Sequence, residues 1–179
     1  MSTNLFRYSG IAAIVSASAY VASLIISIAA PALGPVAFGC VIISTLLFVV
    51  VAFALFRTHQ SESSALSLIA FLTSVAGSIG GLMLDPTQIN AFYAVMSLLF
   101  AVGVLVFGWL GHQSPRLPRG LGIVAIVVGV LGLIMTVAAF AGASFDMVGL
   151  LNLALTVPYV VWLFWLGRYW LANPVAVQH

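Results

Sequence analysis

Six stretches of this chain, residues 8–30, 36–56, 65–84, 88–110, 121–143 and 147–171, are long, apolar and almost free of charge. Each matches the roughly 20 apolar residues that an α-helix needs to cross the hydrocarbon core of a bilayer. Charges and Pro/Gly punctuation fall between them. Pro31, Gly34 and Pro35 separate the first two spans, and Asp85-Pro86 separates the third from the fourth. Backbone groups in hydrocarbon must be satisfied internally, which leaves helices or a closed β-barrel. Barrel strands alternate apolar and polar residues, whereas Val41 to Ile43 and Leu46 to Val51 are continuously apolar. The expected fold is therefore all-α: a polytopic transmembrane bundle of six helices, a single domain over residues 1–179.

Composition excludes other classes. With 64% hydrophobic and 4% charged residues, the chain could not cover a water-facing surface, where about 25% charge is usual. Disordered chains are polar and charge-rich. Nucleic-acid partners call for a basic patch, but Arg7, Arg57, Arg116, Arg119 and Arg168 are scattered, so no nucleic acid is expected. Six crossings place all five arginines on one side, with both termini, while the other side holds Asp85 and Asp146. Basic flanks stay in the cytoplasm, so the expectation is a multi-pass protein of a bacterial-type inner (plasma) membrane with both termini cytoplasmic. The first apolar run exceeds the 7–15 residues or so of a signal-peptide core and is read as a retained span. The single cysteine, Cys40, forms no internal disulfide and is read as a small apolar filler.

The chain resembles itself. Leu5 to Val15 (LFRYSGIAAIV) matches Leu117 to Val127 (LPRGLGIVAIV) at seven of eleven positions, including Arg7 with Arg119 and Gly10 with Gly122. Trp109-Leu110-Gly111-His112 resembles Trp165-Leu166-Gly167-Arg168. Three parallel-repeated helical hairpins, related by an axis along the membrane normal, account for this pattern; shared low-complexity composition is the alternative.

Helices in lipid associate through small residues and hydrogen bonds. Gly77 with Gly81, Ser74 with Ser78, Ala125 with Gly129 and Ala138 with Gly142 are expected packing positions, making spans three and five the tightest. Polar residues form three rows: Ser16, Tyr20, Ser23 and Ser27 in span one; Asn90, Tyr93 and Ser97 in span four; Asn152, Thr156 and Tyr159 in span six, where Pro158 frees the Ala154 carbonyl. Buried hydroxyls and amides need partners, so the rows should converge inside the bundle. They serve either interhelical hydrogen bonding, the reading preferred from sequence because no charge lies within them, or a small polar cavity or pathway.

Chemistry finds little else. Asp85 and Asp146 sit at outer helix ends; Asp146 is expected to N-cap span six and Asp85 to serve the turn before span four. A mouth attracting cations is the sharper alternative for these acids. No metal site and no catalytic residue are expected. His59 and His112, besides His179, are the weak haem candidates; their Gln- and Ser-rich context reads as loop, giving wet interfacial imidazoles. Walker, nucleophile-elbow and His-Glu-x-x-His motifs are missing from the sequence. Trp109, Trp162, Trp165, Tyr169 and Trp170 read as an aromatic belt at the arginine side, or as a quinone or pigment pocket or partner-docking cluster.

The run Leu117-Pro-Arg-Gly-Leu-Gly-Ile123, opening a Gly-rich span in a six-span chain, resembles small six-span bacterial inner-membrane proteins of unassigned function. That resemblance implies the architecture and carries no activity or site residues with it. Three roles follow in order. The first is an accessory or assembly subunit without catalytic machinery, packing against a protein partner or its own copies within the lipid bilayer. The second is a small carrier or channel for a neutral or amphiphilic solute. The third is a haem-, quinone- or pigment-binding protein; no cofactor is predicted outright.

Overall fold

A computed structural model of the chain describes residues 3–83 and 89–173. Six α-helices account for nearly all of them: α1 Thr3–Ala29, α2 Gly34–His59, α3 Ser64–Gly81, α4 Ala91–Gln113, α5 Arg119–Phe140 and α6 Phe145–Ala172. A 3-10 turn, Pro31–Leu33, joins α1 to α2, and Pro35 sits in the first turn of α2, where its missing N–H has no partner to lose. All six helices are long and apolar enough to cross a membrane, as in a multi-pass integral membrane protein. Their outer faces agree: Ile28, Val137 and Val157 are 74, 67 and 64% exposed, an apolar surface that hydrocarbon tolerates and water does not.

Short side chains set the helix starts. Ser63 accepts from Leu66 N at 3.4 Å to open α3, Asn90 accepts from Tyr93 N at 2.9 Å to open α4, and Ser144 accepts from Met147 N at 3.3 Å to open α6. Asp146, expected as the cap of α6, lies instead in its first turn, beside the positive end of the helix dipole. At the close of α5, Gly142 takes φ +77 and the N–H of Ala143 bonds back to the Ala138 carbonyl at 3.0 Å.

The helices run alternately up and down. Each packs on its neighbours in sequence, and α6 closes on α1, so the six form a ring. One end of the ring holds Arg7, Arg57, Arg116, Arg119 and Arg168 and is called the arginine end here; the opposite end is the distal end.

Glycines let the backbones approach. A Cβ on Gly10 would meet the Gly167 carbonyl oxygen at 2.9 Å, and one on Gly167 would meet that of Gly10 at 2.7 Å, joining α1 to α6. Gly108 and Gly129 bring α4 and α5 together along most of their length, against Ile126 N and Leu105 Cβ, each at 2.6 Å. Gly103 and Gly77 do the same for α3 and α4. The expected packing pairs hold only in part. Gly129 and the buried Ala125 pack, but Gly142 makes the turn after α5 and touches no other helix. Gly77 abuts α4, while Gly81 faces open space.

The arginine half of the ring has a buried apolar core. Leu55, Val104, Phe107, Leu121, Leu163, Leu166 and Trp170 fill its centre, all at most 2% exposed. Trp162 is likewise buried, and Phe6 packs on Trp170 with ring centroids 6.0 Å apart. The expected belt is thus split. Trp109 and Trp165, 53 and 41% exposed, face outwards, whereas Trp162 and Trp170 are core, because the α6 face that carries them turns onto α1 and the ring centre.

Candidate functional site

The distal half of the ring is hollow. A cavity of about 260 Å³ at its centre is lined by residues from all six helices, among them Tyr20, Ser44, Gly77, Ser97, Met135 and Asn152. Its floor is a triangle of rings at mid-bundle, one from each even-numbered helix: Phe48 to Phe100 is 5.6 Å, Phe100 to Tyr159 5.8 Å and Phe48 to Tyr159 6.1 Å between centroids. Tyr20 meets Tyr159 edge-on at 5.6 Å, a favourable geometry for aromatic rings. Towards the distal end the space continues into a second lobe of about 360 Å³. Tyr20, Val41, Gly81, Tyr93 and Asn152 line both lobes.

The three sequence rows meet here, though not every member lines the space. Tyr20 sits beside the side chains of Asn152 and Thr156, so the rows of α1 and α6 face each other directly. Ser16 is fully buried and belongs to helix packing: its hydroxyl donates to the Ser44 carbonyl at 2.9 Å and lies 3.2 Å from the Ser44 hydroxyl. Ser23 donates to the Tyr20 carbonyl at 2.7 Å and lines the outer lobe with the exposed Ser27. On α4, Tyr93 lies beside Ser97 and its hydroxyl points at the Met135 sulfur, 3.7 Å away. Asn90 stands apart; it is exposed and caps α4. On α6, Thr156 donates back to the Asn152 carbonyl at 2.8 Å, which leaves the Asn152 amide and the Tyr159 ring as the lining groups. Asp85 and His179 lie outside the described residues.

Residues that the rows did not include complete the walls. Val41, Ser44, Thr45 and Phe48 of α2 recur at helical spacing on one face. Ser44 and Thr45 are the only hydroxyls in residues 36–56, and that isolated polar pair was the available signal. Phe100, Met96 and Met135 carried none, since an apolar residue facing a cavity looks the same in sequence as one facing lipid.

A second polar cluster ties the arginine end together. Glu62, between α2 and α3, accepts from Ser114, between α4 and α5, and its other oxygen is 2.9 Å from His59 Nδ1. Arg116 donates to the Thr58 carbonyl and the Ser61 hydroxyl, both at 2.7 Å, and its own carbonyl accepts from the Tyr169 hydroxyl at 2.9 Å. Both inner loops and α6 are thereby linked. His59 is not the wet imidazole expected: α2 runs on past residue 56 to carry it, and the ring is buried, at 0% exposure, against Glu62. His59 Nε2 and His112 Nδ1 are buried without a hydrogen-bond partner among the described residues. The described residues contain no group of three His, Cys, Asp or Glu side chains placed to hold a metal ion.

Neither lobe of the cavity is lined by a charged side chain among the described residues. Its chemistry is that of neutral donors and acceptors, three phenols, one carboxamide and several hydroxyls, set in apolar and aromatic walls. Comparison of the chain with family models, with curated proteins and with solved structures returns no match.

Proposed function

We propose that this protein is a membrane-embedded binding protein or carrier for a small neutral, amphiphilic solute, held in the distal half of the helix ring. One observation carries the reading: all six helices contribute to a cavity whose polar lining groups, among the described residues, are neutral. At about 260 Å³ it falls just below the range of about 300–1,000 Å³ usual for small-molecule sites, and apolar walls with a few convergent polar groups are their common form. An ion or charged head would be desolvated there with no opposite charge to meet it. A neutral head replaces its water with the Tyr20, Tyr93 and Asn152 groups.

A purely structural accessory subunit, the role placed first on sequence grounds, gains nothing from a hollow centre. At the centre of the arginine half, by contrast, buried apolar side chains such as Leu163, Leu166 and Trp170 meet one another. The arginines support an arginine end facing the cytoplasm and hence a cavity on the opposite side of a bacterial-type inner membrane.

Native mass spectrometry of the protein extracted in mild detergent tests the reading, with Asn152→Leu as the comparison. The expected result is a neutral adduct on the wild type, strongly reduced in a variant that still unfolds at a wild-type temperature. A bare wild-type protein, or an adduct retained equally by the folded variant, would reject it.

A further inference from the structure

The hollow half has an unequal wall, and this sets the class of ligand more narrowly. At the arginine end α1 and α6 touch backbone to backbone through Gly10 and Gly167. From mid-bundle to Asn152 they still meet, Tyr20 packing on Tyr159 and lying beside Thr156 and Asn152. The outer lobe opens beyond, between Ser23, Leu24 and Ser27 of α1 and Phe145, Val148 and Gly149 of α6. The distal end has a small core of its own, built from Ala94 of α4, Met135 and Ala139 of α5 and Val148 of α6, with no member from α1 or α2. The first turns of α6 are therefore held towards α4 and α5. A Cβ at Gly149, on the face that lines the outer lobe, would find nothing within 4 Å. The outer lobe lies in this divergence: α1 and α6 line it and α5 does not.

We infer that the ligand is a single-chain neutral amphiphile, its head among Tyr20, Tyr93 and Asn152 and its hydrocarbon chain leaving between α1 and α6 into the distal leaflet. This rests on the binding role proposed above and specifies its ligand. The two lobes share Tyr20, Tyr93 and Asn152, and beyond these polar groups Leu24, Phe38, Ile89, Phe145 and Val148 give the outer lobe an apolar wall. Phe38 and Phe145 are 50 and 57% exposed, so this wall is continuous with the lipid-facing surface. A chain leaving there stays in hydrocarbon throughout, whereas an exit at the membrane surface would carry it into water. Phenols, hydroxyls and a carboxamide both donate and accept, which suits a head bearing hydroxyl or carbonyl groups.

The test uses a monoacylglycerol with a photoreactive diazirine on its chain, added to the full-length protein in phosphatidylcholine vesicles. After illumination, the expected label lies on the facing segments of α1 and α6 around Leu24 and Phe145, and unlabelled monoacylglycerol competes it away. Gly149→Trp fills the divergence from an unoccupied position and should lower the competed labelling by at least about tenfold. Ser27→Trp, at the exposed rim, repeats the experiment if the first variant does not fold. Labelling unchanged in both variants, or spread without competition over lipid-facing residues such as Ile28 and Leu46, overturns the inference. If a water-soluble butyryl glycerol competes as well as the long-chain compound, the chain and its exit are wrong while the cavity still binds a neutral head. If a neutral adduct is found but no acyl glycerol of either length competes, the single-chain acyl class falls and the binding role remains. Absence of both adduct and competition removes both.

Discussion

The ring depends on close backbone approach, and Gly103→Ala measures how much. A Cβ at Gly103 would stand 2.5 Å from Ser74 N, 2.6 Å from Ser74 Cβ and 2.8 Å from the Ala70 carbonyl oxygen. Two of these three atoms are α3 backbone, so rotating a side chain gives no relief. Non-bonded heavy atoms rest at about 3.5–4.0 Å, which obliges α3 to retreat from α4 by roughly 1 Å and to disturb the neighbouring Gly77 contact with Phe100. Overpacking of this kind costs about 1–3 kcal/mol. The better helix propensity of Ala over Gly returns about 1 kcal/mol, for a net loss of up to about 2 kcal/mol. Gly39→Ala is the control, since nothing lies within 4 Å of the Cβ it would add in α2; there only the propensity gain operates. Reversible unfolding in mixed detergent micelles, followed by tryptophan fluorescence, should therefore separate the two variants by about 1–3 kcal/mol, with Gly39→Ala the more stable. Equal stabilities, or a stabilised Gly103→Ala, would show that α3 and α4 do not meet at this distance and would remove the wall that both contribute to the cavity.

Two further expectations concern the arginine end. Arg116→Ala removes the donor to Thr58 and Ser61 and should cost about 1.5–3 kcal/mol, the usual worth of a hydrogen bond involving a charged group; because both bonds come from one nitrogen, Nη1, Arg116→Lys should recover part of the loss. The same unfolding assay reads both, and an Arg116→Ala variant as stable as wild type would refute the contacts. In a Cys40→Ala background, a cysteine replacing Ser61 should react with a membrane-impermeant maleimide only in opened cells, and one replacing Ala141 in intact ones; the reverse pattern would invert the orientation.

The number of helices was legible because hydrocarbon imposes a length and an apolar composition on each span, and both are countable in sequence. The convergence of α1, α4 and α6 was legible for a related reason: a Tyr or Asn in mid-span must face protein rather than lipid. What escaped was anything that depends on which apolar face points where. Hydrophobic residues surround every helix, so Phe48 and Phe100, the floor of the cavity, are indistinguishable in sequence from Phe53, which is 41% exposed. Trp162 and Trp165 lie three positions apart on the same helix, yet one is core and the other faces outwards. Capping was misassigned to Asp146 because a carboxylate and the Ser144 hydroxyl compete for the same N–H groups, and only the backbone's path decides between them. The Glu62 and Arg116 contacts join loops more than 50 residues apart, a pairing that no local pattern encodes.

The two halves of the ring answer different physical demands. In the arginine half, side chains as large as Trp170 and Leu166 are fully buried, and a polar network locks the loops beyond them. Dispersion contacts, which replace the hydrophobic effect as the cohesive force inside lipid, are dense there. In the distal half those contacts are forgone, and polar side chains stand where apolar ones would pack better. Tyr20 and Asn152 would be unfavourable beside empty hydrocarbon, but they are stable while they face each other or a bound head. Occupancy should therefore stabilise the distal half selectively, by the ordinary linkage between ligand concentration and folding, and leave the arginine half as the fixed base from which α1 and α6 diverge. On the proposed binding role, a ligand could pass from the cavity to the arginine end only if Phe48, Phe100 and Tyr159 separated and the Glu62 and Arg116 contacts beyond them broke.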